Sequence, residues 1–265
     1  MMTASHLGDD PQPVPTWTRT LNEEDAVALL DLARPDMSLE SWQEQGHAVL
    51  PQPSLPRRRE QLRLVREELL DHDGHQILDS RFLRLFHAGS PHRRRTLVLG
   101  RLLRNRPVVH LALERLVHPA LARAEIPLAD DDADLIPAAD WDDLLRRHLP
   151  PDTGEPAFAK TRSTLQRALA DVGVLELSGN TTRTTRVSRG HPDPLAYSWL
   201  IAHELRSSGR SEAPEVWALH QAFPARLFAP RPEYAAVCLD AGVTEGILRR
   251  GYLAGEPRLH PGEDL

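Results

Sequence analysis

The segment from Ala157 to Arg189 constrains this chain more than any other. Leu165, Leu169 and Val172 recur at helical spacing behind Lys160-Thr161-Arg162-Ser163-Thr164. A 3.6-residue period then buries Leu165, Ala168, Leu169 and Val172 and exposes Lys160, Arg162, Ser163, Gln166 and Arg167. Gly173 suits the end of that helix, because helices commonly stop at a residue with positive φ, which glycine adopts without strain. Val174 to Leu177 alternates like a half-buried strand, and Ser178-Gly179-Asn180 is turn chemistry. Thr181 to Val187 is β-branched, with Arg183, Arg186 and Arg189 interspersed. A helix leading into a basic hairpin is the pattern of a winged helix, and it suits DNA.

Charge supports this reading because it is local. The whole chain carries a formal charge of −6, which argues against a general polyanion binder. Residues 160–189 hold six basic side chains against Asp171 and Glu176, a local +4. Short hydroxyl and basic residues at a helix start can meet phosphates through side chains and backbone amides, and those beyond them reach base edges. The expected DNA contacts are Lys160, Thr161, Arg162, Ser163, Thr164, Gln166 and Arg167 on the helix, with Arg183, Arg186 and Arg189 on the wing. The plainer alternative is a solvated amphipathic helix beside an ordinary hairpin, and winged helices also dock proteins.

With 265 residues, two domains are expected, and 40% hydrophobic residues supply apolar material for real cores. Aromatics make up only 5%, so leucine, alanine and valine must do the packing. Lys160 is the sole lysine among 32 basic residues, an arginine excess that reads chiefly as GC-rich codon usage. Cys238 is the one cysteine, which excludes an internal disulfide and a cysteine-based zinc site and fits a reducing cytoplasm. No stretch approaches the roughly 18 consecutive apolar residues that cross a bilayer, and the start is polar and proline-bearing. A cytoplasmic protein without membrane partners is expected.

The fold class expected is mainly α. Residues 1–20 read as a disordered tail, 21–150 as a helical bundle, and 151–265 as a winged-helix domain with a helical C-terminal extension. Helices are expected over 21–32, with Asn22 as N-cap, and over 57–70, 80–86, 91–105, 107–117 and 141–149, with a proline linker at 51–56 and an acidic loop at 130–134. Pro150-Pro151 and Gly154 punctuate the boundary. Beyond the hairpin, helices are expected over 194–205, 215–222, 232–241 and 244–250, with Gly251 to Glu256 as a strand and turn. No internal repeat stands out. In the bundle, Arg94, Arg101 and Arg104 fall near one helical face and would add phosphate contacts; local ion pairs such as Arg63 with Glu67 are the alternative for such clusters.

Catalytic motifs are missing from the chain: no phosphate-binding Gly-x-x-x-x-Gly-Lys loop, no dinucleotide Gly-x-Gly-x-x-Gly, no His-Glu-x-x-His and no Gly-x-Ser-x-Gly elbow. His72, Asp73 and His75 lie close together, but Gly74 among polar neighbours is ordinary turn chemistry. The acidic run at 130–134 is accounted for by solvation and by the helix that follows it. No catalytic residue, metal ligand or cofactor is therefore assigned.

The order of these parts resembles a known family. Arg81-Phe82-Leu83-Arg84, an arginine-rich helix, the acidic segment around Trp141, and Phe158 through Leu175 together resemble the BrxA proteins of BREX bacteriophage-exclusion systems, over roughly residues 55–190. Phe158-Ala159 stands where that family has tryptophan-serine, and the tail after about Leu205 is longer than the family's. The resemblance implies a NusB-like helical domain joined to a winged helix. It also implies binding of double-stranded DNA without catalysis, alongside a DNA methyltransferase and other defence subunits. The rival readings are an adaptor that docks a partner subunit through the winged helix and, more remotely, a metal-dependent hydrolase using His72, Asp73 and His75.

Overall fold

A computed structural model of the chain describes residues 13–17, 23–127, 132–177 and 184–263. Its first part is helical: α1 (Glu23–Leu32), α2 (Leu39–Val49), α3 (Leu55–Glu68), α4 (Arg81–His87), α5 (Pro91–Arg104), α6 (Pro107–Ala112) and α7 (His118–Ala124), the last two joined by a π-helical turn, Leu113–Val117. Local chemistry sets several starts. Ser38, Ser80 and Ser90 each accept a hydrogen bond from the backbone N–H three residues on, at 3.1, 3.3 and 3.2 Å, which satisfies one of the donors a helix start leaves open. Proline stands in the first turn of α3, α5 and α6, where its missing N–H costs nothing. Helix α2 replaces a stretch for which no helix was expected. Gly46, in its middle, lets Leu29 and Leu62 close over the backbone, and Trp42 Nε1 donates to Leu29 O at 2.9 Å.

The centre of the molecule is α10 (Pro194–Ser207). Eight of its residues are buried, from Ala196 through Ala202 together with Leu205, and a helix apolar on most sides belongs inside a core. It packs against α5, where Gly100 leaves room for Leu200, and against α13 (Pro232–Thr244), where Gly242 leaves room for Ser198. A Cβ at either glycine would overlap its neighbour. Nearly all the buried apolar residues form one continuous cluster from Ala26 to Leu259.

Around α10 the chain builds two units of the same strand order, the second with one helix more than the first. First come β1 (Leu135–Ile136), α8 (Ala138–His148), α9 (Glu155–Asp171), β2 (Leu175–Leu177) and β3 (Thr185–Val187), in an antiparallel sheet of order β1-β3-β2. After α10 come β4 (Ala213–Pro214), α11 (Glu215–His220), α12 (Phe223–Phe228), α13, β5 (Leu248–Leu253) and β6 (Glu256–Pro261), in order β4-β6-β5. Both long helices end alike. Gly173 at φ +82° and Gly246 at φ +67° take the left-handed conformation. Val174 N–H then bonds Leu169 O at 3.1 Å, and Ile247 N–H bonds Gly242 O at 2.8 Å. Val174 and Ile247 are fully buried, and each leads into a strand.

Residues 244–250, expected as a helix, instead hold that glycine turn and the start of β5. Pairing with β6 across six residues, Leu248↔Pro261 to Leu253↔Glu256, outweighs helix propensity there. The first unit begins at β1, ahead of Pro150-Pro151, because Leu135 and Ile136 pair with Arg186 and Thr185. Residues 13–17, expected within a disordered tail, lie on the protein: Val14 N–H bonds His148 O at 2.7 Å. Asn22, Asp130, Asp131, Ser178 to Asn180 and Thr181 to Arg183 lie outside the described residues.

Candidate nucleic-acid interface

Helix α9 starts beyond Gly154, with Glu155 and Pro156 in its first turn. Leu165 and Leu169 are fully buried, and Phe158 and Ala168 nearly so. Lys160, Ser163 and Arg167 are exposed along one side. Three of the expected contact residues are instead interior: Thr161 at 0%, Gln166 at 2% and Thr164 at 7% exposure. The reason is that α9 is covered from two directions. Helix α8 and strand β2 pack on one flank, while α5 and α6 approach the other. Residues 13–17 add to this cover, with Trp17 N–H donating to Thr161 Oγ1 at 3.1 Å. Gln166 Nε2 is buried without a hydrogen-bond partner among the described residues.

The exposed side of α9 is one wall of a cleft of about 520 Å³. Leu99, Leu102 and Leu103 of α5 line it, together with Arg95 and Arg106. Arg95 lies between Glu23 at 3.0 Å and Asp171 at 3.1 Å, and Arg167 also reaches Asp171 at 3.1 Å. Burial raises the Glu23 carboxyl above its ordinary pKa, with Arg95 opposing the shift. Arg106 holds Glu68 through two contacts of 2.6 and 2.8 Å. Lys160 is the one cation of this cleft with no carboxylate at ion-pair distance among the described residues. Trp17, Arg95 and Arg106 were not among the expected site residues. The Arg93-Arg94-Arg95 cluster was the available signal, and helical phase alone pointed to Arg94 rather than Arg95.

Most other expected contacts are held inside the fold. Arg162 is half-buried and pairs with Asp142 of α8 at 2.5 Å. On β3, Arg186 pairs with Asp134 and remains half-exposed. Arg189 binds Glu125 at 2.5 Å and donates to Ala229 O and Pro230 O at 3.0 and 3.3 Å, tying the first unit to the second. Arg183 lies outside the described residues.

The three α5 arginines, expected to add phosphate contacts, have partners within the fold. Arg94 bonds Asp31 at 2.9 Å and the carbonyls of Phe86, His87 and Gly89. Arg101 is buried over the Phe82 and Trp199 rings, donates to Leu69 O at 2.9 Å, and has its pKa lowered by burial. Arg104 donates to Ser207 Oγ at 2.5 Å. Their shared helical face turns toward neighbouring helices because α10 packs along α5.

His72, Asp73 and His75 sit in a turn at Gly74, φ +99°. Asp73 Oδ1 accepts from His75 N and Gln76 N at 2.8 and 2.9 Å, and these bonds lower its pKa. Among the described residues no group of three or more histidine, cysteine or carboxylate side chains is placed to hold a metal ion, and no helix is long and apolar enough to cross a membrane.

No family model and no curated protein matches this chain. Two solved structures do. An SspB crystal structure is 12% identical at a TM-score of 0.50, covering 94% of this chain and 82% of that one. A magnesium ion-bound SspB structure is 13% identical at a TM-score of 0.50, covering 93% and 81%. At such identity the likeness is one of fold, and it extends over nearly the whole chain.

Proposed function

We propose that this chain is a non-catalytic, double-stranded DNA-binding accessory protein of a bacterial anti-phage system of the BREX type. In this reading it contacts DNA through a winged helix formed by β1, α8, α9, β2 and β3, beside a NusB-like N-terminal bundle. The observation that carries the reading is the arrangement of α9: a long helix ended by Gly173, followed by a hairpin in a β1-β3-β2 sheet, with Lys160, Ser163 and Arg167 exposed along it. Burial narrows the contacts to Lys160, Ser163, Arg167 and Arg186. Arg167 and Arg186 are exposed at 74% and 48%, so each can exchange its carboxylate for a phosphate oxygen at little cost. The resemblance to BrxA proteins supports a DNA methyltransferase as partner, and the single cysteine, Cys238, supports a cytoplasmic setting.

A second reading, a protein-interaction adaptor, draws on the same geometry, since most of the expected arginines already have carboxylate partners. Titration of a labelled duplex with the full chain at several salt concentrations separates the two. The triple variant Lys160→Ala, Arg167→Ala, Arg186→Ala is expected to weaken binding across sequences and to flatten the log-affinity against log-salt line by up to about 0.9 per lost phosphate contact. Unchanged affinity and slope in a variant with native circular dichroism would overturn the DNA reading and leave the adaptor.

A further inference from the structure

The repeated strand order allows the two long helices to be compared position by position, with Gly173 aligned on Gly246. Leu165 then falls on Cys238, both fully buried, and Val174 on Ile247, both fully buried. On the outer side the chemistry inverts. Lys160 corresponds to Glu233 and Arg167 to Asp240, while buried Thr164 corresponds to exposed Val237. Helix α13 carries no basic residue, and its outer ridge reads Glu233, Val237, Asp240, Thr244, one face of a helix. Val237 is 57% exposed.

The hairpin continues this surface. Arg250 of β5 reaches Asp240 at 2.8 Å and Glu215 at 2.8 Å. Tyr252 lies on the same face of the strand as Arg250, about 6.5 Å further along. Strand β5 packs on α13. Tyr252 is 73% exposed, so Val237 and Tyr252 are exposed apolar side chains on two elements that pack together, with Glu233 and Asp240 on the ridge beside Val237.

We propose that the second unit docks a protein segment through Val237 and Tyr252: one that presents apolar side chains flanked by lysine or arginine. Carboxylates at the positions where the first unit places Lys160 and Arg167 repel phosphate, so this face does not take DNA. They attract a basic partner, and the exposed apolar pair supplies the burial that ion pairs on a surface do not. A helix laid along α13, with its apolar stripe on Val237 and Tyr252, is the docking mode that fits a single exposed ridge. This inference stands on α13 and β5 alone and survives the loss of the DNA reading.

The test uses the full chain and a labelled 18-residue peptide of leucine and lysine patterned as an amphipathic helix, with its leucine–glutamate counterpart as the control. Fluorescence anisotropy is expected to show saturable one-to-one binding of the lysine peptide only. Val237→Glu combined with Tyr252→Ser should weaken it at least tenfold, and so should Glu233→Lys. Glu40→Lys, an equal charge change on the exposed side of α2, should leave it within about twofold, which separates a docking face from bulk attraction. Absence of saturable binding, preference for the glutamate peptide, or equal effects of Glu233→Lys and Glu40→Lys would overturn the proposal. Sedimentation showing a dimer that Val237→Glu dissolves would overturn it in favour of a second copy of the chain, and a duplex DNA shift lost in Val237→Glu would overturn it in favour of DNA.

Discussion

His203 lies flat against Trp199, their ring centroids 4.8 Å apart and their planes within 12°. Arg101 stands over the same indole at 5.8 Å. Burial, with Arg101 and Arg104 adding to it, lowers the His203 pKa to about 4 from an ordinary 6.5. The histidine is thus held neutral in the folded protein, while the unfolded chain takes up its proton below about pH 6.5. Stability supplied by this site is fully present above that pH and is lost as pH falls toward 4. Glu204, whose carboxyl is raised by burial, acts in the opposite sense by gaining its proton more readily in the fold. Urea unfolding at pH 7.5 and pH 5 should therefore show a smaller acid loss in His203→Gln than in the natural chain, by about 1 to 2 kcal/mol. An identical loss in both would rule out the neutral, stacked histidine.

Gly100→Ala tests the crossing of the two central helices. The added methyl would meet Leu200, and the packed core leaves little room to give, so a loss of roughly 1–3 kcal/mol is expected. Leu200→Ala in the same background should recover part of the loss. Additive costs in a double-mutant cycle would show that the two residues do not share this contact.

Gly173→Ala and Gly246→Ala should behave as a matched pair. Each glycine sits in the left-handed region, and neither has a neighbour closer than 3.5 Å that an added Cβ would strike. Both substitutions should cost about 1–2 kcal/mol by backbone strain alone. A difference beyond about 1 kcal/mol between them, read from thermal or urea melts, would mean that the two turns are not equivalent.

Along α9, Leu169→Ala is expected to cost about 2–5 kcal/mol because the side chain is fully enclosed. Lys160→Ala and Arg167→Ala should stay within about 0.5 kcal/mol of the natural chain. Arg162→Ala should fall between, near 1 kcal/mol, because it leaves the partly buried Asp142 without its partner. Equal losses at Lys160 and Leu169 would contradict the division of this helix into an inner and an outer side.

Much of the secondary structure was legible from local chemistry. Gly173 as the end of α9 and Leu165 and Leu169 as its inner face each follow from forces acting within a few residues. So does the Arg63–Glu67 pair, found at 2.7 Å. The alternation expected over Val174 to Leu177 does not hold: Val174 and Leu175 are both buried and Glu176 and Leu177 both exposed. Helix α2 is not legible in the sequence because Gly46 and a run of polar residues hide its apolar face, which Leu29 and Leu62 define from other helices.

What the sequence determined by itself, then, was where most helices form, α2 and residues 244–250 apart, and which side of α9 is apolar, since spacing and positive φ are local constraints. Only the tertiary structure decided which cations are free. Arg94 meets Asp31, Arg186 meets Asp134 and Arg189 meets Glu125, each more than fifty positions away in the chain, and an ion pair depends on distance in space, for which sequence offers no measure. The tertiary structure also disclosed the repeat. Packing asks only that buried positions be apolar and fit, so Leu165 and Cys238 fill corresponding places without resembling one another, while the outer positions Lys160 and Arg167 correspond to Glu233 and Asp240, of opposite charge.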